Sequence, residues 1–458
     1  MTIAVTKTEM PPHRGSLLII FLTVFIDLLG FGIVLPLLPI YGEQFATLHG
    51  YTAQQWGWLV GLLMASFSAM QFFFLPVWGR LSDVYGRRPI LLIGLAGSTV
   101  FYTLFGLATV WRSLTWLFVA RIGAGIAGAT ISTAQAYIAD STSTTNRTKG
   151  MALIGAAFAL GFTLGPVIGA MSLLIGRAGD VSPWPGYFAA GLSGGALLLA
   201  FWQLPESKTA DSGSARRGLL DIEGLRVALS TPSIGLLLVT SFIVVGALAA
   251  FESTLSLEIK ALHTLALSET SQSGAMQTVI DWARRIGYTE EADVRHVVIL
   301  GTFAYLGFVM TVAQGFLVRR IAGRVSEQAM AIAGTIVSTM SLILLSYAVQ
   351  QRGFGLLCLA MAIFVVGLAF VTPAVQSLIS RRTSPLQQGH VLGVTQSLSS
   401  FARITGPVVG IRMFTHSEQL PLWVAAVAMG LAAVLTVVAV RTGHDYFDDS
   451  ATHTANLT

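Results

Sequence analysis

The chain has 458 residues, 54% hydrophobic and only 11% charged, with a net charge of +5 and a single cysteine. A soluble domain carries about 25% charged residues. The composition therefore excludes a water-soluble fold and points to one whose solvent is lipid. Cys358 alone can form neither an internal disulfide nor a cysteine-based metal site, and it reads as a small core residue.

In chain order, a polar start (MTIAVTKTEMPPHRG) is followed by twelve apolar runs. They lie near 17–40, 56–78, 89–110, 113–139, 150–176, 186–204, 233–257, 297–318, 328–349, 354–379, 389–413 and 421–441. Each approaches the roughly 20 residues that a helix needs to cross a bilayer. Continuous apolar runs of this length are helices, not the alternating strands of a barrel. The first run lacks a small-residue cleavage site and reads as an uncleaved helix. The predicted fold is all-α, a polytopic membrane protein of twelve helices in two pseudo-symmetric six-helix bundles. Residues 1–206 form the first bundle, 207–232 a polar, basic linker, 233–445 the second bundle and 446–458 a tail. The loop 258–296 interrupts the second bundle, and TVIDWARRIGY within it looks weakly helical.

Lysine and arginine set the orientation. Arg14, Arg80, Arg87, Arg88, Lys149, Arg216, Arg217, Arg319, Arg320, Arg381 and Arg382 all fall on the side of the two termini. The opposite short loops hold little more than Arg112, Arg177, Arg352 and Arg412. The basic balance is thus a topology signal and not a nucleic-acid footprint. It places both termini in the cytoplasm, for a protein of the cell (inner) membrane. The sequon Asn146-Arg147-Thr148 then lies on the wrong side for glycosylation.

The halves repeat one another. QAYIADSTS (135–143) matches QSLISRRTS (376–384), and at the same offset Gly165-Pro166-x-x-Gly169 matches Gly406-Pro407-x-x-Gly410. Shared offsets suggest duplication, a recurrent build of secondary transporters.

Of 22 acidic residues only Asp27 and Glu252 fall well inside a run, and Arg121 and Arg403 are the internal basic ones. Each costs about 2.5–3.5 kcal/mol at a helix centre, so all four should face a cavity or one another. Asp27 sits in a helix loosened by Gly30, Gly32, Pro36 and Pro39. Arg121 is its expected partner, provided that helices one and four face each other. Asp27, Arg121 and Glu252 are the expected proton-coupling residues. Gln71, Gln135, Gln376 and Gln396, with Arg403, are the expected substrate-cavity residues.

Gly123-x-Gly125-x-x-Gly128 satisfies the dinucleotide fingerprint but lies inside an apolar run with no preceding soluble strand. Small residues there permit close helix contact instead. No phosphate-binding loop, zinc spacing or nucleophile elbow occurs. The chain is therefore expected to be no enzyme and to need no metal or cofactor. Any transport would use an ion gradient or run downhill.

The loop GRLSDVYGRRPILL (79–92) packs Gly79, Asp83, Gly86, Arg87 and Arg88 between two membrane-length runs. It resembles the loop 2–3 signature of the major facilitator superfamily. Leu117-x-x-x-Arg121-x-x-Ala124-Gly125 resembles the helix-four motif, with Ala124 where glutamine is common. Gly161-x-x-x-Gly165-Pro166-x-x-Gly169 resembles the helix-five motif of the antiporter branch, with Ala170 replacing the last glycine. With FIDLLGFGIVLPLLPIY, the chain is similar to drug:proton antiporters of the tetracycline-efflux type. The resemblance implies that Asp83 latches a neighbouring helix end, with Arg87 and Arg88 in its charge network. It implies that Arg121 supports proton coupling and that Gly165 and Pro166 shape an exchange-specific bend. Tetracycline exporters carry further acids within helices three and nine, and the runs 89–110 and 328–349 contain none.

The expected activity is export of a small amphipathic organic compound against inward proton flow, by a monomer in the bilayer. The rivals are a facilitator or proton symporter of a metabolite such as a sugar or carboxylate, and a non-transporting receptor or scaffold.

Overall fold

The computed structural model describes residues 14–142, 147–175, 181–207, 232–268, 274–321, 323–384, 387–443 and 445–446. Residues 1–13, Asn146, most of the expected linker 207–232 and the tail beyond 446 lie outside them. The described helices are α1 Arg14–Val34, α2 Leu38–Leu48, α3 Ala53–Tyr85, α4 Arg87–Val110, α5 Leu114–Gly128, α6 Ile131–Asp140, α7 Arg147–Leu173 and α8 Trp184–Gln203. After the linker come α9 Pro232–Ser268, α10 Gly274–Arg285, α11 Glu291–Val312, α12 Glu327–Gln350, α13 Phe354–Arg382, α14 Gln388–Phe414 and α15 Leu420–Thr442.

Eleven spans among the described residues are long and apolar enough to cross a membrane. The twelfth crossing is α14, whose 27 residues would span about 40 Å at 1.5 Å per residue. Its apolar signal is diluted by Gln396, Ser399, Ser400, Arg403 and Thr405. Crossings one and four are each broken. Pro36 stands in the break between α1 and α2, and Pro39 is the second residue of α2. Ala129 and Thr130 separate α5 from α6.

The two halves pack alike. In the first, α1 lies against α7 and α8, and α4 against α5 and α8. In the second, α9 lies against α14 and α15, and α12 against α13 and α15. The largest contacts between halves are α3 with α14 and α7 with α11, which exchange under the same symmetry, and α2 also meets α9. This is the expected pair of six-helix bundles.

Two faces follow. The basic face carries the α3–α4 loop, and the far face carries the α2–α3 loop. A large apolar cluster joins the halves toward the far face, through Ile33, Leu37 and Tyr41 of the first and Leu255, Ile259 and Leu300 of the second. A second cluster, with Ile20, Leu91, Tyr137 and Ala157, draws only on the first half. The halves therefore meet at the far face and part toward the basic face.

The segment expected as a loop, 258–296, is mostly helical. α9 runs on to Ser268, α10 buries Met276, Ile280 and Ala283, and α11 begins at Glu291. At 37 residues, α9 would reach about 55 Å, well beyond a 30 Å hydrocarbon core.

Candidate functional site: a central cavity and its two ends

The bundles enclose a cavity of about 370 Å³ lined by α1, α3, α4, α5, α6, α7, α9, α11, α13 and α14. Asp27, Arg121, Glu252, Arg403 and Gln71 all line it, as do Ser98, Tyr102 and Gln314. Phe31, Phe67, Phe158 and Phe162 supply aromatic walls. The site thus combines apolar surface with a few convergent polar groups, the usual build of a small-molecule site.

Arg121 is 2% exposed, and its Nε and Nη1 have no hydrogen-bond partner. The guanidinium lies 4.5 Å from the Phe67 ring centroid and 5.7 Å from that of Phe31. Cation–π contact is worth up to about 2 kcal/mol in a desolvated site, against the roughly 2.5–3.5 kcal/mol that an arginine costs at a helix centre. The rings offset part of that cost and leave the nitrogens available.

Asp27 is half-buried. Its Oδ1 has no hydrogen-bond partner, and the Ser98 hydroxyl interacts with its carboxylate. The expected Asp27–Arg121 ion pair is not formed. The reason is α4, which touches both α1 and α5 and puts Tyr102 within electrostatic reach of both charges. In the second half, Glu252 is half-buried, Arg403 is exposed into the cavity, and the two are electrostatically coupled.

The small-residue stripe brings backbones together. A side chain added at Gly165 would begin 2.8 Å from Gly32 Cα, and one at Gly161 would begin 2.9 Å from Leu28 Cβ. Gly169 is looser, with Leu300 Cδ2 at 3.2 Å. In the second half Gly406 meets Gly246 and Gly410 meets Ala250. Asp27 precedes the contact patch on α1 and Glu252 follows it on α9, so the two acids stand at different depths. The fingerprint glycines are packing residues: Gly123 faces Phe101 and Gly125 the Phe67 backbone.

Gln71 donates to the Gly128 carbonyl at 3.2 Å. Gln135, Gln376 and Gln396 are exposed and stand outside the cavity lining. Gln314 replaces them. It lies in a π-helical turn, Ala313–Val318, that continues α11. Hydropathy carries no signal for such a turn, and only the structure reveals it.

The basic-face loop is a closed network within the first half. Gly86 has φ +101°, a conformation that favours glycine. The Glu206 carboxylate accepts from the Arg87 and Arg88 backbone N–H groups at 2.8 and 3.1 Å. It thereby satisfies free donors and the positive end of α4. Arg87, 7% exposed, donates to Ser82 (2.7 Å), Asp140 (3.1 Å) and Asp83. Arg88 donates to the Phe201 carbonyl at 2.6 Å. Sequence reasoning missed Asp140 and Glu206, because partners so distant in the chain leave no local pattern. Gly79 makes no close contact; a Cβ there would meet only Ser132 Oγ at 3.8 Å.

At the far face the halves are tied together. Ser256 donates to the Pro36 carbonyl at 2.6 Å, Lys260 to Glu43 at 2.7 Å and Tyr288 to the Ala170 carbonyl at 2.8 Å.

Comparison with known proteins agrees with this architecture. The sequence profile of the Major Facilitator Superfamily matches residues 20–407. Tetracycline resistance protein class B of Escherichia coli is 28% identical over 412 residues, covering 90% of both chains. Human major facilitator superfamily domain-containing protein 10 is 29% identical over 434 residues, covering 89% of both. The crystal structure of the human organic anion transporter MFSD10 superposes with a TM-score of 0.63 at 26% identity, over 93% of this chain and 100% of that one.

Proposed function

The chain belongs to the major facilitator superfamily and is a secondary transporter integral to the membrane, and on that premise we propose that it exports a small amphipathic organic compound in exchange for protons. Asp27 and Arg121 are the coupling pair, Glu252 a second proton-binding carboxylate, and the aromatic cavity the substrate site. The observation that carries the reading is that Asp27 and Arg121 face one cavity without pairing. Two unpaired charges in a desolvated site are costly unless they serve a ligand or a proton. The lysine and arginine distribution supports a cytoplasmic basic face, so the cavity opens to the side from which an exporter loads. The tetracycline resistance relatives support export.

The two arginines in the cavity favour a second reading. An anion on Arg121 would bind best with Asp27 protonated, so proton and substrate would travel together. The human relative, an organic anion transporter by name, supports that version. Uptake by everted membrane vesicles separates the readings, with tetracycline and the organic anion fluorescein as probes. Export by exchange predicts accumulation that collapses when the pH gradient is dissipated. No accumulation of either probe above that of vesicles lacking the protein speaks against it.

A further inference from the structure

The far-face seal holds a second group of buried ionisable side chains, separate from the cavity. His263, Asp293, Glu258 and His296 are 1, 5, 3 and 0% exposed. Both His296 nitrogens lack a hydrogen-bond partner, as do both Glu258 oxygens, Asp293 Oδ1 and His263 Nε2. His296 lies on the seam itself. Its ring stands edge-on to Tyr41 of the first half, centroids 5.6 Å apart and planes at 85°. Tyr41 is held from behind by Ser182, whose N–H donates to the phenol oxygen at 3.3 Å.

The surroundings oppose a charge on His296. Its burial comes first, and Arg295 of its own helix with Lys260 and His263 of α9 are within electrostatic reach, Lys260 being paired in turn with Glu43 of α2 at 2.7 Å. Arg284 of α10 stands within 3.8 Å of Glu291, and His263 within 3.9 Å of the same carboxylate. Asp293 interacts with Tyr41, and Glu258 with Glu418 of the α14–α15 connection. The charged residues of α7 (Arg147, Lys149) and of α13 (Arg381, Arg382) belong to the opposite ends of those helices. An imidazolium at His296 would be buried without an acceptor and beside other cations, which is strongly unfavourable. Parting Tyr41 from His296 hydrates the ring and removes the penalty.

We propose that His296 is a pH-sensitive latch of the far-face seal: the neutral ring packs on Tyr41 and holds the seal shut, and acid on that face opens it. External acid then prepares the carrier to load protons from outside. The inference rests on the alternating-access reading and on the far face being external.

Two labels test it. Leu48 on α2 and Leu267 on α9 are 58 and 42% exposed, one in each half. With Cys358→Ala removing the native thiol, Leu48→Cys and Leu267→Cys carry spin labels for distance measurement in nanodiscs without substrate. An imidazole in water titrates near about pH 6.5. One that charges only in the opened form raises the open-to-sealed ratio by up to about tenfold between pH 7.5 and 5.5. His296→Phe keeps the edge-on ring and should abolish the shift; His296→Gln serves if that variant does not fold. Asp27→Asn should leave the shift intact. Distances independent of pH, an unchanged response in the His296 variant, or loss of the response in Asp27→Asn would each overturn the proposal. The labels report shape and not flux, so failure here leaves the exchange reading standing, and failure of exchange leaves this response intact.

Discussion

Asp140 at the end of α6 and Arg381 near the end of α13 occupy equivalent places in the two halves and carry opposite charges. Asp140 accepts from Arg87 at the start of α4, and Arg381 donates to Glu327 at the start of α12 and to Asp445 after α15. The duplicated halves thus keep one network shape and reverse its polarity. The first network is the stronger, because the Arg87 side chain is 8% exposed and that of Arg381 57%.

That contrast predicts unequal costs. Arg87→Ala should destabilise by about 1–3 kcal/mol, the range for losing charged hydrogen bonds from a buried donor. Arg381→Ala should cost below about 1 kcal/mol, as for an exposed pair. Reversing the buried pair as Arg87→Glu with Asp140→Arg should recover at least about 1 kcal/mol over the sum of the single changes. Unfolding of the detergent-purified proteins measures all three, and equal losses for Arg87→Ala and Arg381→Ala would count against the burial argument.

Asp27→Asn should remove pH-gradient-driven transport without loss of fold. Oδ1 has no partner to lose, so the change should cost under about 1 kcal/mol. Flux in proteoliposomes and a melting curve on the same preparation check both halves of the statement.

Arg121→Lys keeps the charge but loses the planar group that lies between Phe31 and Phe67. The two cations are not equivalent at a stacked site. The variant should fold, retain less than about a tenth of the coupled flux (roughly 1.4 kcal/mol), and fail to match wild type at any pH gradient. Wild-type flux in Arg121→Lys would show that charge alone suffices.

Glycines divide into two kinds. Gly165→Val drives a side chain into the Gly32 backbone and should cost more than the roughly 1–3 kcal/mol of ordinary overpacking. Gly191→Ala on α8, with open space around it, should be neutral or stabilise by up to about 1 kcal/mol. Melting temperatures of the two variants give the comparison directly.

The apolar runs announced the spans, because lipid forces a continuous apolar surface over a fixed length. The same rule exposed Asp27, Glu252, Arg121 and Arg403 as anomalies, and all four line the cavity. What stayed hidden depends on three-dimensional placement. The pairing of Asp27 with Arg121 failed because α4 stands between their helices, a matter of bundle geometry with no sequence period. Gln135, Gln376 and Gln396 are polar in the right spans but outside the cavity lining, since a mid-span amide says nothing of its azimuth. The α9 extension and α10 looked like a loop because they mix polar and apolar residues, and the hydropathy rule marks only continuous apolar runs.

Exchange is read out by proton movement in proteoliposomes holding a pH-sensitive dye, with tetracycline or fluorescein added outside and no pH gradient imposed. Exchange predicts that the entering compound drives protons out, so the lumen becomes alkaline, and that Asp27→Asn abolishes the signal. Acidification of the lumen on addition would mean that protons accompany the substrate, and would rule exchange out.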